Sequence, residues 1–204
     1  MPMSSVEKPR RQRLPKLTVN IPNILTVLRI LVTPLFVIFL IRNQHGYALL
    51  VFIFAGVSDG LDGLIARGLN QRSDLGAVLD PIADKLLLTA AYVTLGIIGE
   101  IPGWLAVLVI SRDVLIVTGI AVLSFADIRF DINPTVISKW TTVCQILMVG
   151  VSLLDLNFPG AEHLRSALVW VTAGMTVLSG LHYTYLGLNI LQTGYGNPKN
   201  KDDE

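Results

Sequence analysis

Charge is scarce in this chain of 204 residues. Asp, Glu, Lys and Arg make up only 15% of it, against about 25% in soluble domains. Apolar residues fill 52% of the chain, and the mean hydropathy is +0.61. A soluble fold this apolar would need a core larger than 204 residues can enclose, so the composition points to a membrane protein. Cysteine is nearly absent as well. The single thiol, Cys144, excludes an intramolecular disulfide, and its apolar neighbours predict a buried, inert group. No internal repeat, low-complexity tract or small-x-small cleavage site follows the basic start, so the first apolar stretch is expected to remain in the protein.

What the chain does have is long apolar stretches. A helix needs about 20 predominantly apolar residues to cross a bilayer. Six stretches approach that length, at about 24–41, 47–66, 78–98, 103–125, 138–155 and 166–190. Turn residues divide most of them: Asn43–Gly46, Gly99–Pro102, Asn133–Pro134 and Asn157–Gly160. The second and third are divided by the polar run Arg67–Asp74. Only helices satisfy their own backbone in lipid at this composition. The predicted fold class is therefore all-α, a polytopic membrane protein of six transmembrane helices. Residues 1–22 are expected to form a basic arm with an interfacial segment, 23–192 a six-helix domain, and 193–204 a tail.

The net charge is only +1, yet its distribution is uneven. With the N-terminus inside, eleven Lys and Arg fall on inner flanks, beginning with Lys8, Arg10, Arg11, Arg13 and Lys16. Only Arg42 and Arg165 fall outside. The positive-inside rule then predicts both termini on the cytoplasmic side. A basic arm beside an apolar span reads as a membrane flank rather than a nucleic-acid binder, so no nucleic-acid partner is expected.

Four aspartates crowd into 26 residues, Asp59, Asp62, Asp80 and Asp84. Asp59 and Asp62 are three apart, and Asp80 and Asp84 four apart, so each pair shares a helix face. Two adjacent antiparallel helices would gather all four near the inner membrane edge. Insertion scales charge about 2.5–3.5 kcal/mol for one aspartate at a helix centre. Close carboxylates also raise one another's pKa. Two divalent cations would cancel the four charges, and oxygen-only donors suit Mg²⁺ or Mn²⁺ rather than Zn²⁺. Gly63, Ala66 and Gly76 leave room for a bulky ligand near the backbone. Arg67 offers a bidentate grip on phosphate. Salt bridges to Arg67, Arg72 and Lys85 are the alternative reading of the same charges. A channel or transporter would spread its carboxylates along a pore instead.

The order Asp59-x2-Asp62-Gly63-x2-Ala66-Arg67-x8-Gly76-x3-Asp80-x3-Asp84 resembles the signature of the CDP-alcohol phosphatidyltransferases, with every fixed position filled. The resemblance implies attack of an acceptor hydroxyl on the β-phosphorus of CDP-diacylglycerol, releasing CMP. It implies Asp59, Asp62 and Asp80 as ligands of two divalent cations. Asp84 would be close to the same metals and the general base. Gly63, Ala66, Arg67 and Gly76 would line the CDP-lipid site, and a homodimer is implied.

For the acceptor, the residues singled out are Arg29 in the first span, the Arg112–Asp113 pair in the fourth and Lys139 in the fifth. A charged pair in such apolar company should face a cavity, or else form a buried ion pair. His182 and Tyr183 read as packing or interfacial residues. Within the family, Asn20–Asn23 resembles phosphatidylglycerophosphate synthases. Those usually carry a further arginine where Ile120 stands, and open the fifth span Gly-Lys-x-Lys-Thr. Here that span opens Ser138-Lys139-Trp140-Thr141-Thr142. The runs Ile110–Val114 and Ile137–Lys139 are more similar to the eukaryotic-type cardiolipin synthases. Phosphatidylglycerol is therefore the expected acceptor, with glycerol 3-phosphate the alternative. The expected location is a bacterial inner membrane with the site on its cytoplasmic side, or else a mitochondrial inner membrane.

Overall fold

The computed structural model describes the backbone of residues 21–68, 74–125, 135–154 and 160–193, and the side chains of 27–58, 83, 85–122, 135–154 and 160–190. The described backbone is all helical, with no strand. In order the helices are α1 (Ile21–Ile41), α2 (His45–Gly68), α3 (Asp74–Ile98), α4 (Gly103–Phe125), α5 (Val136–Leu153) and α6 (Ala161–Thr193). Three of them are long and apolar enough to cross a membrane, over Gly103–Val122, Val136–Leu153 and Ala161–Ile190. The described parts of α1, α2 and α3 are shorter apolar stretches. The expected basic arm and tail lie outside the described residues.

The turn residues end the helices as their chemistry requires. After α1, Asn43 adopts a left-handed backbone with φ 55°. There the Asn43 and Gln44 amides donate to the Leu40 and Phe39 carbonyls at 2.9 Å each. Gly99 does the same after α3 with φ 83°, and the Glu100 amide donates to Leu95 O at 3.0 Å. At the start of α5, Thr135 Oγ1 accepts from the Ser138 amide at 3.3 Å, an N-cap that satisfies one orphan donor. This cap starts α5 two residues earlier than hydropathy alone predicts.

α6 differs most from expectation. It runs 33 residues, about 50 Å, well beyond a hydrocarbon core of about 30 Å.

The packing is that of a bundle in lipid. Large apolar side chains face outward on every helix, including Leu31, Leu50, Ile97, Val107, Trp140 and Trp170. Inside lies an apolar centre of Phe36, Leu40, Phe52, Tyr92, Leu95, Leu105, Val109 and Met148. Beside buried apolar residues, α5 and α6 bury a polar set: Thr141, Gln145, Thr172, Thr176 and Ser179. Thr141 donates to Met175 O at 3.1 Å, Gln145 to Thr176 Oγ1 at 3.4 Å and Thr172 to Cys144 O at 3.4 Å. Small residues with cross-helix hydrogen bonds are how spanning helices associate without a hydrophobic driving force. Cys144 itself is only partly buried, not fully so as its apolar neighbours predicted, because it sits at the edge of this seam.

One buried hydrogen bond ties α3 to α5: Tyr92 Oη donates to Gln145 O at 3.2 Å. Both residues are fully buried. Tyr92→Phe removes the donor and leaves the carbonyl short of a partner. Thermal unfolding in detergent should show a loss of about 1 kcal/mol.

The helix neighbours follow from the packing. α1 packs against both α2 and α3, α3 against α4, α4 against α6, and α5 against α6. α2 also touches α5.

Candidate functional site

Asp59 and Asp62 belong to the C-terminal part of α2, and Asp80 and Asp84 to the N-terminal part of α3. Helix geometry sets their levels. Asp62 stands six residues from the end of α2 and Asp80 six from the start of α3, about 9 Å of rise each. Asp59 and Asp84 stand nine and ten residues in, about 14–15 Å. The two pairs therefore stand at similar distances along their helices from the connection between α2 and α3. Gly63, Ala66 and Arg67 continue along α2 toward its end, and Gly76 opens α3.

The side chains of all eight of these residues lie outside the described residues. Among the described residues, α2 and α3 each pack against α1, and no comparable packing of α2 on α3 is seen. The expected gathering of the four aspartates between the two helices lies outside the described residues. The donor set at these levels is carboxylate oxygen only, which suits two hard divalent cations such as Mg²⁺ or Mn²⁺. Among the described residues no other group of acidic, His or Cys side chains is suited to hold a metal ion.

Immediately beyond Asp84 is a fully described polar layer. Lys85 Nζ donates to both carboxylate oxygens of Asp113, at 2.9 and 2.8 Å. Arg112 Nη1 donates to Asp113 Oδ1 at 2.8 Å. Arg112 Nη2 donates to Ser138 Oγ at 2.7 Å and to Ser179 Oγ at 2.6 Å, and Nε also reaches Ser179 at 3.2 Å. The guanidinium carbon lies 5.8 Å from the centroid of the Tyr183 ring, within cation–π range.

One arginine thus ties α4 to α5 and α6, and its neighbouring carboxylate ties α4 to α3. The Arg112 side chain is 5% exposed and that of Asp113 13%. Burial at this level requires such partners, because an unpaired charge in a low-dielectric interior is expensive. The Arg112–Asp113 pair, expected from sequence as an acceptor contact, has most of its polar capacity directed at protein groups.

The two other acceptor candidates sit differently. Arg29 is buried at 3% exposure on α1. It lines a small cleft against Phe54, Ala55 and Ser58 of α2, one turn and less from Asp59. Lys139 is exposed at the start of α5, beside Ser138. Sequence reasoning missed Ser179 and gave Tyr183 a packing or interfacial role. A hydroxyl residue one turn before a tyrosine in an apolar span is the signal for both, since polar side chains in such spans turn inward.

α4 and α6 part beyond this layer. Between Leu115–Val122 and Tyr183–Ile190 lies an apolar cavity of about 250 Å³. Gly119 and Gly187 face open space there, and Ile120 forms part of the wall. Thr184, on the same wall, donates to Gly180 O at 2.9 Å and so brings no spare donor to the cavity.

Residues 19–178 match the family model described as CDP-alcohol phosphatidyltransferase. The chain is 34% identical over 190 residues to a human cardiolipin synthase (CMP-forming), covering 85% of this chain and 63% of the human one. It is 34% identical over 196 residues to a Schizosaccharomyces pombe cardiolipin synthase (CMP-forming) / mitochondrial hydrolase fusion protein, covering 88% of this chain and 33% of that one. To a probable phosphatidylglycerophosphate synthase of Mycobacterium tuberculosis it is 34% identical over 172 residues, covering 80% and 79%. The chain spans one third of the fission-yeast relative and just under two thirds of the human one. An all-helical chain matched by the family model over residues 19–178, this protein belongs to the CDP-alcohol phosphatidyltransferase family.

Proposed function

We propose that this chain transfers a phosphatidyl group from CDP-diacylglycerol to the hydroxyl of phosphatidylglycerol, releasing CMP and forming cardiolipin. The observation that supports the reading is that the four aspartates stand on α2 and α3 at similar distances from the connection between them, inside the family-matched region. Asp59, Asp62 and Asp80 hold two divalent cations, with Asp84 beside them. When bound, those cations neutralise the diphosphate and the departing CMP. Arg67 grips a phosphate of the donor, and Gly63, Ala66 and Gly76 leave space for the CDP-lipid. Asp84 takes the proton of the acceptor hydroxyl as its oxygen bonds to the β-phosphorus and the bond to CMP breaks.

Arg29 and Lys139 flank the acceptor, with Arg112 and Asp113 in its floor. Two features favour a lipid acceptor over glycerol 3-phosphate. Ile120 replaces a basic residue and stands in an apolar wall, and the fifth helix opens with one lysine where the phosphatidylglycerophosphate synthase pattern has two. Both remove charge that a dianionic phosphomonoester would use. A phosphodiester lipid needs less of it and brings acyl chains that an apolar cavity suits. The enzyme works as a homodimer of six-span chains with both termini in the cytoplasm. Its place is a bacterial inner membrane with the site facing the cytoplasm, the alternative being a mitochondrial inner membrane.

Purified enzyme given CDP-diacylglycerol and Mg²⁺ should release CMP when phosphatidylglycerol is supplied, with cardiolipin as the lipid product. Release with glycerol 3-phosphate and none with phosphatidylglycerol would assign the alternative acceptor.

A further inference from the structure

Lys85 directly follows Asp84, so an ammonium group originates beside the aspartate level on α3. Its side chain is 40% exposed, so burial alone does not fix it. What holds it is Asp113, through two hydrogen bonds of 2.9 and 2.8 Å. Asp113 is fixed in turn by Arg112, and Arg112 by Ser138 and Ser179.

The other described carboxylates are Glu100 and Glu162. Glu100 follows the far end of α3, fifteen residues and about 22 Å of helix rise from Lys85. Glu162 begins α6, on the same side as Glu100, whose partner Arg165 lies one turn further on. Along α3 itself, the carboxylates closest to Lys85 are Asp84, its neighbour in sequence, and Asp80, about 7.5 Å of helix rise away.

We infer that Asp113 is a positioning residue that keeps the Lys85 ammonium out of the aspartate cluster, leaving those carboxylates to divalent cations. The inference rests on the proposed metal-binding role of the aspartates. A lysine is a compact, mobile cation, and in the cluster it would compete with a divalent ion for the same oxygens. Asp113 also offsets one of the two positive charges of the layer, Lys85 and Arg112, and so lessens its repulsion of the cations.

The test measures Mn²⁺ binding to the purified full-length protein, by the loss of the free-ion electron paramagnetic resonance signal. The Mg²⁺ concentration for half-maximal CMP release is measured alongside. D113N should weaken Mn²⁺ binding by about tenfold, the size of a single neighbouring-charge effect. K85M added to D113N should restore it to near the wild-type value, and D113E, which retains the pairing, should bind Mn²⁺ near the wild-type value.

Wild-type binding by D113N overturns the inference. So does a loss in D113N that K85M fails to rescue while D113E is unaffected, because a purely structural defect would not be cured by a second substitution. If D113N does not fold, the paired K85M/D113N variant and D113E still decide: either one binding Mn²⁺ tenfold more weakly than wild type overturns it. A wild-type protein that binds no Mn²⁺ removes the functional reading and this inference together, whereas wild-type binding with unaffected variants removes only the inference.

Discussion

Asp80→Asn should reduce Mg²⁺-dependent CMP release by at least about 10²–10³-fold, the scale on which loss of one preorganised charge-stabilising group is felt. Asparagine keeps the size of the side chain and offers one oxygen, but it loses the charge that a hard divalent cation needs. The same variant should lose Mn²⁺ binding. Asp84→Asn should lower turnover by a comparable factor and retain most Mn²⁺ binding, because its proposed part is to accept the acceptor proton. Radiolabelled CMP release and Mn²⁺ titration of the two variants separate ligand from base. Substantial turnover in Asp80→Asn would count against metal-assisted transfer and revive the salt-bridge reading of these aspartates.

The second large effect is on stability. Arg112→Leu should cost about 3–5 kcal/mol, the usual result of removing one partner from a buried ion pair. The leucine leaves Ser138 and Ser179 without their charged donor and Asp113 with Lys85 alone. Arg112→Lys keeps the charge and should still destabilise, because one ammonium cannot reproduce a planar fork that reaches Asp113, Ser138 and Ser179 together. Thermal unfolding of the detergent-solubilised protein reads both. If Arg112→Leu melts within a degree of wild type while the acceptor KM rises sharply, Arg112 serves the substrate and not the bundle.

These two predictions concern residues about which a sequence carries unequal information. The helices were legible because their signals are local: apolar length, a left-handed Asn43 after α1 and Gly99 after α3. The spacing of the aspartates was legible for the same reason, since three and four residues always return to one helix face. Arg112 and Asp113 were not. Their adjacency in sequence announces a charged pair but carries no information on whether substrate or protein completes it.

The sequence by itself determined an all-helical membrane fold, the order Asp59–Asp84 that resembles the family signature, and an isoleucine at position 120. The tertiary structure alone decided the rest. It set α1 as the shared neighbour of α2 and α3, spent Arg112 on Ser138 and Ser179, turned Lys85 toward Asp113, and placed Ile120 in an apolar cavity. The physical reason is range. Helix formation and face sharing depend on residues within a turn or two, whereas partners such as Arg112 and Ser179 are 67 residues apart and meet only when whole helices pack.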